Sequence, residues 1–217
     1  APKEEYNTPN LERVQAGFVN LEKHLENMKK FGINPVVAVN SFISDSEEEV
    51  NWLIEKCASL GVKAVLSEGW AKGGKGTQDL ARAVVDQIDE GTDNFKALYD
   101  WNLGVKDKIE TIAKEIYGAD GVDYAAKAER DLRSIAKLGL ESLPICMAKT
   151  QKSFSDDDKK TGRPTDFRIT VREFEIAAGA GFLIPILGNM MRMPGLPAVP
   201  ASEHMDIDAQ GVITGLS

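Results

Sequence analysis

An α/β fold, with mainly parallel strands flanked by helices, is what this 217-residue sequence predicts. Three observations carry that reading. Residues 35–40 are short, apolar and β-branched, as a strand buried on both faces of a parallel sheet is, and the apolar run 62–66 reads as a second buried strand. Each run is followed, after a short link, by an amphipathic helical pattern. The resulting strand–helix–strand–helix order is that of a right-handed crossover.

The elements follow in order. Thr8 and Pro9 form a helix start, threonine as N-cap and proline at the first helical position. Leu11, Val14, Phe18, Leu21, Leu25 and Met28 then mark one helix face that ends near Gly32. After strand 35–40, Ser44 or Ser46 caps a helix whose first turn carries Glu47, Glu48 and Glu49 at the positive end of its dipole. Val50, Leu53, Ile54 and Cys57 form its stripe, and Gly61 stops it. Strand 62–66, a glycine-rich loop and a helix starting at Thr77 come next, with Leu80, Ala81, Val84, Val85 and Ile88 on one face.

Residues 100–138 read as two further helices, striped by Val105, Ile109, Ile112, Ile116 and by Ala125, Ala128, Leu132, Ile135. The turn Gly118-Ala119-Asp120-Gly121 separates them. Residues 144–148 look like a third buried strand. Beyond them come a charged loop, a partly alternating segment 167–176, an apolar strand 181–187 and a short strand or turn at 206–215. The chain thus divides into an α/β portion, 1–140, and a smaller α+β portion, 141–217.

A net charge of −8 argues against a nucleic-acid-binding face. Cys57 and Cys146 both fall in apolar segments, which suits a reducing compartment. No apolar run approaches the roughly 18–20 residues of a membrane span, and no signal-peptide core opens the chain. A soluble, cytoplasmic protein without a membrane partner is expected. With only His24 and His204, and no Cys-x-x-Cys spacing, no metal site is expected. No Gly-x-Ser-x-Gly elbow occurs, and no catalytic side chain is assigned.

The most informative stretch runs Glu68-Gly69-Trp70-Ala71-Lys72-Gly73-Gly74-Lys75-Gly76-Thr77. Gly69-(x)4-Gly74-Lys75, between a strand and a helix, satisfies most of a phosphate-binding P-loop. It fails where Gly76 replaces the hydroxyl residue that holds magnesium. Trp70 also has no part in a phosphate cradle. Phe42 sits two residues beyond the first strand as Trp70 sits just past the second. Ligands of open parallel sheets bind outside the carboxyl ends of the strands. If the two strands are neighbours, these rings face one another, and about 7 Å between them leaves a slot for one flat heterocycle. The alternative is that both rings cap the core beneath the loops.

Several blocks resemble formate–tetrahydrofolate ligases: Asn34-Pro35-Val36-Val37-Ala38-Val39-Asn40-Ser41-Phe42 with Asp45, then Glu68 to Gly76, Ala148-Lys149-Thr150-Gln151 and Gly162-Arg163-Pro164. Ile169-Thr170-Val171-Arg172-Glu173, Ala178-Gly179-Ala180-Gly181-Phe182 and Met193-Pro194-Gly195-Leu196-Pro197 continue the likeness. It spans essentially the whole chain but only the C-terminal portion of the longer family protein, whose P-loop-NTPase-like architecture carries its nucleotide loop further upstream. The near-miss at Gly76 is then no nucleotide loop.

The resemblance implies ATP-dependent formation of 10-formyltetrahydrofolate. ATP, with Mg2+, phosphorylates formate, and N10 of tetrahydrofolate attacks the formyl phosphate. It implies that Phe42 and Trp70 sandwich the pterin and that Leu66 lines the same pocket. Lys72 and Lys75 either attract the glutamate tail or keep the loop soluble. Thr165 and Asp166, in the Gly162–Asp166 loop, either touch the adenosine or belong to a charged surface loop. Asp156, Asp157 and Asp158 read as a solvated face. Implied partners are tetrahydrofolate, the N-terminal portion of the enzyme and, from the family's homotetramers, other copies of the chain; Trp52, off its helix's stripe, would pack at such an interface. No tightly bound cofactor and no turnover by this portion alone are expected. The contrasting readings are a non-catalytic folate-binding module and a small P-loop-like nucleotide-binding protein using Lys75.

Overall fold

In the computed structural model, which describes residues 8–190 and 198–215, helix α1 (Leu11–Lys30) starts after Asn10, not Thr8. Asn10 is extended, and its Oδ1 accepts the Arg13 N–H at 3.0 Å. Its own N–H donates to Glu49 Oε1 at 2.6 Å, so a tertiary tie decides which residue caps. The expected Met193–Pro197 block lies outside the described residues.

Strands β1 (Val36–Asn40) and β2 (Lys63–Ser67) pair in parallel, with Val39 opposite Leu66 and Asn40 opposite Ser67. Helix α2 (Glu47–Ser59) links them. Ser46 and Glu49 close a full capping box at its start, and Gly61 ends it at φ +70°. Phe18, Leu25, Cys57 and Val62 form the buried centre of this half. Trp52 packs against it, partly buried and edge-on to Phe18 with centroids 5.5 Å apart. The strands are not buried on both faces as their composition suggested: Ala38 and Asn40 are exposed. Among the described residues this sheet has two strands.

The glycine stretch is not an open loop. It folds as the one-turn helix α3 (Gly69–Lys72) and a 3-10 turn (Gly73–Thr77) running into α4 (Gln78–Asp89). The α4 periodicity was readable, but its burial was not. Only Ala83 is buried, while Val84, Val85 and Ile88 face solvent.

A second core follows. Helix α5 (Val105–Ile112) continues as a π turn (Ala113–Tyr117), followed by β3 (Gly121–Tyr124), α6 (Ala126–Lys137), β4 (Arg168–Ala177) and β5 (Phe182–Leu187). Gly118–Gly121, read as a mere turn, thus leads into a strand. β3 pairs parallel to β4, and β4 turns back through the Gly181 N–H to Ala177 carbonyl bond to pair antiparallel with β5. The strand expected at 144–148 is realised only as two parallel bridges, Ile145 to Leu183 and Ala148 to Ile186. A small hairpin of β6 (Asp206–Ile207) and β7 (Ile213–Thr214) comes last among the described residues. The outcome is a mixed α/β protein with small sheets rather than one mainly parallel sheet, because β4 returns on itself.

The second core buries Ile109, Ile135, Ile169, Val171, Leu183 and Leu187 almost completely and draws residues from both sides of position 140. Lys108 is fully buried beside it, its ammonium donating to the carbonyls of Glu141, Ser142 and Leu143 at 3.0–3.2 Å. Burial pulls its pKa below the ordinary lysine value. Helix α1 ties the two halves together. Lys30 and Lys23 donate to the Glu115 carbonyl and Asn27 to that of Ile116, satisfying the free carbonyls where the π turn ends. Among the described residues no helix is long and apolar enough to cross a membrane, and both cysteines are free.

Candidate functional site

The carboxyl ends of β1 and β2 lie side by side, which carries the residues after each strand to one edge. Ser41 extends the ladder, its N–H donating to the Ser67 carbonyl at 3.1 Å. Phe42 follows on a turn held by its own N–H to Asp45 Oδ2 (2.8 Å) and by the Asp45 N–H to the Phe42 carbonyl (3.1 Å). Trp70 stands on α3 opposite, and its indole N–H donates to the Ser41 carbonyl at 2.5 Å. The structure therefore brings the two expected rings together, stacked with centroids 5.9 Å apart and planes 22° from parallel. About half of each side chain is exposed.

That spacing differs from the expected slot. A flat heterocycle held between two rings needs about 3.5 Å on either side, hence about 7 Å between centroids. At 5.9 Å the rings touch each other. Leu66 is half-buried, one residue before the end of β2. A cavity of about 420 Å3 adjoins the same loop through Asn40 and Asp45 and runs along β1 towards Val14 and Leu53.

The loop geometry also accounts for the glycines. The Glu68 N–H bonds to the Gly76 carbonyl at 3.0 Å, closing the loop on itself. A Cβ on Gly76 would stand 2.5 Å from the Glu68 carbonyl oxygen, so no hydroxyl residue fits there. Three N–H groups of the loop are spent internally: those of Ala71 and Lys72 on the Glu68 carbonyl, that of Gly73 on the Gly69 carbonyl. The P-loop likeness is one of spelling, not of geometry.

Of the two lysines, Lys72 is tied to Glu68 one turn back at 2.6 Å. Lys75 is exposed and has no ion pair or hydrogen bond among the described residues. Thr165 and Asp166 lie elsewhere, in the link before β4. The Thr165 hydroxyl donates to Asp166 Oδ2 at 2.9 Å, and Asp166 is the one non-glycine described residue with a positive φ, +55°. Asn20 donates to the Gly162 carbonyl and Arg163 makes a bidentate pair with Glu26, so α1 carries this loop. Among the described residues no bond or ring contact joins it to the Phe42–Trp70 pair.

A sequence model described as formate–tetrahydrofolate ligase matches residues 1–217. The chain belongs to that family. Formate–tetrahydrofolate ligases use ATP, formate and tetrahydrofolate as substrates. Two stacked aromatic pairs occur among the described residues, Phe42–Trp70 and, at 6.4 Å between centroids, Phe31–Phe95. Among the described residues no group of three or more histidine, cysteine, aspartate or glutamate side chains is placed to hold a metal ion. The other aromatic cluster, at the opposite end of β1, surrounds a cavity of about 390 Å3 lined by Phe31, Phe95, Tyr99, Trp101 and Tyr117. Burial, helped by Cys146, pushes the Tyr117 phenol up to about 12, so it stays neutral and supplies no base at neutral pH.

Sequence reasoning missed Ser41, whose carbonyl fixes the indole. A main-chain acceptor leaves no mark in side-chain patterns. Lys108 did leave one: it lies three residues after Val105 and four before Ile112, on the edge of the α5 stripe.

Proposed function

We propose that this chain forms the tetrahydrofolate-binding part of the ATP-dependent formate ligase of its family, with Phe42 and Trp70 as the two walls that hold the pterin. The observation that carries this reading is the stacked ring pair at the carboxyl ends of two parallel strands, where such folds hold ligands. Leu66 supports the ring floor. Lys75, the cation of the loop with no partner described, attracts the glutamate carboxylates, while Lys72 shapes the loop through Glu68.

Formate activation by ATP and attack by N10 on the formyl phosphate need phosphate-binding cations and magnesium. On this reading those groups belong to another portion of the enzyme, because the loop has no room at Gly76 for the hydroxyl residue that would hold magnesium. This chain contributes position: fixing the pterin fixes N10, and holding reactants in place is worth several kcal/mol of barrier. Thr165 and Asp166 are proposed as adenosine contacts, the strained Asp166 backbone being the observation in their favour.

Calorimetric titration of the chain with tetrahydrofolate and, separately, with Mg-ATP tests this. Tetrahydrofolate should bind and lose about tenfold or more in affinity in the Trp70→Ala variant. Tight Mg-ATP binding without tetrahydrofolate binding would discard the folate reading and restore the nucleotide one. Formation of 10-formyltetrahydrofolate by the isolated chain would show that the phosphate chemistry is not elsewhere.

A further inference from the structure

The two rings of the pair are held very differently. Trp70 is pinned at its polar end: its indole N–H donates to the Ser41 carbonyl, and the Ser41 peptide is fixed in turn by the Ser67 carbonyl. The backbone beneath it is closed by Glu68 and Gly76, and Gly69 has no room for a Cβ beside the Thr77 methyl at 2.8 Å. Phe42 has no polar end to anchor. Its backbone is held by Asp45, but the ring is half-exposed, and its stacking on Trp70 is the one aromatic contact it makes among the described residues.

With the two rings stacked in contact, there is no gap for a planar molecule, which needs about 3.5 Å on either side. We infer that Trp70 is a fixed wall positioned by the Ser41 carbonyl and Phe42 a moving jaw, so that a pterin-class heterocycle is taken up by displacing the phenyl ring and not the indole. This rests on the folate reading and adds to it which wall moves and what positions the other. The displacement is inexpensive. It gives up one ring–ring contact and regains two when the heterocycle is seated between the rings. Rotation of a half-exposed phenyl ring is also fast compared with binding, so the jaw sets affinity without slowing association.

Nuclear magnetic resonance of the whole chain can tell the rings apart. The three tryptophans give three indole N–H signals, and Trp70→Phe identifies the one of interest; a 4-fluorophenylalanine label assigned through Phe42→Leu reports the jaw. On titration with tetrahydrofolate the Phe42 fluorine signal should shift, while the Trp70 indole N–H stays protected from solvent exchange. Calorimetry should find Trp70→Phe several-fold weaker although it keeps a ring, because the pin is gone, and Phe42→Ala about three- to tenfold weaker. Loss of Trp70 N–H protection on binding, or unchanged affinity in Trp70→Phe, overturns the assignment of wall and jaw while leaving the folate reading standing. No response of either ring at saturating tetrahydrofolate removes the folate reading itself.

Discussion

The two halves of this molecule are built to different standards of closure. The second core buries twelve apolar residues between α5, α6 and a three-stranded sheet, and its strand β5 is buried almost throughout. The first buries four, around a two-stranded parallel sheet with an exposed face and a helix, α4, whose apolar stripe meets solvent. Parallel strands are normally covered on both sides. The candidate site sits on the less complete half, at strand ends with few buried neighbours. Segments that adjust to ligands are drawn from the less stable parts of a fold. Precision is then supplied locally, by main-chain bonds to Ser41, Glu68 and Gly76, and not by a large core.

The largest effect belongs to the closed half. Replacing Lys108 with methionine should cost about 3 kcal/mol in chemical denaturation, since the buried ammonium that gathers three carbonyls is lost. Tetrahydrofolate affinity, corrected for the folded fraction, should not change. If affinity falls as well, the halves are coupled more tightly than their separate cores indicate.

In the open half, Gly76→Ser restores the residue that a P-loop spells. Its Cβ meets the Glu68 carbonyl, so a loss of about 2 kcal/mol and weakened tetrahydrofolate binding are expected. Gained Mg-ATP binding would instead revive the nucleotide loop.

Glu49 gives a pH-dependent test of the same half. Burial works against its charge, but the N–H groups of Ser46 and Asn10 and the Ser46 hydroxyl outweigh it and hold the carboxyl below its ordinary value of 4.5. A carboxylate with a lowered folded pKa stabilises fully above its unfolded pKa and loses that contribution as pH falls through the folded value. Acid titration should therefore weaken the wild type more steeply below about pH 4.5 than Glu49→Gln, which should itself cost about 1 kcal/mol at pH 7. Parallel acid profiles would remove Glu49 from the account.

The smallest effect separates the lysines. Lys72→Ala should change stability by about 0.5 kcal/mol or less, as exposed pairs do. Lys75→Ala should weaken binding of polyglutamylated tetrahydrofolate a few-fold, with reduced salt dependence. Equal effects of the two variants would undo the distinction drawn from the Glu68 pair.

Much of the fold was legible because its signals are local. β1 and β2 announced themselves by β-branched residues, and the rings were found by counting from the strand ends. Three features were not. β3 is four residues long, preceded by Gly118 and opened by Gly121, which together spell a turn; its pairing with residues 168–171 makes it a strand. The α4 stripe reveals amphipathicity, but periodicity cannot say whether anything covers Val84, Val85 and Ile88. The width of the ring pair depends on an indole bonding to a main-chain oxygen, which no residue pattern encodes.

A crystal structure of the chain with tetrahydrofolate tests the central claim most directly. The account expects the pterin between Phe42 and Trp70, the centroids opened from 5.9 Å to about 7 Å and the Trp70–Ser41 bond intact. A pterin bound elsewhere, with the rings still in contact, would contradict it.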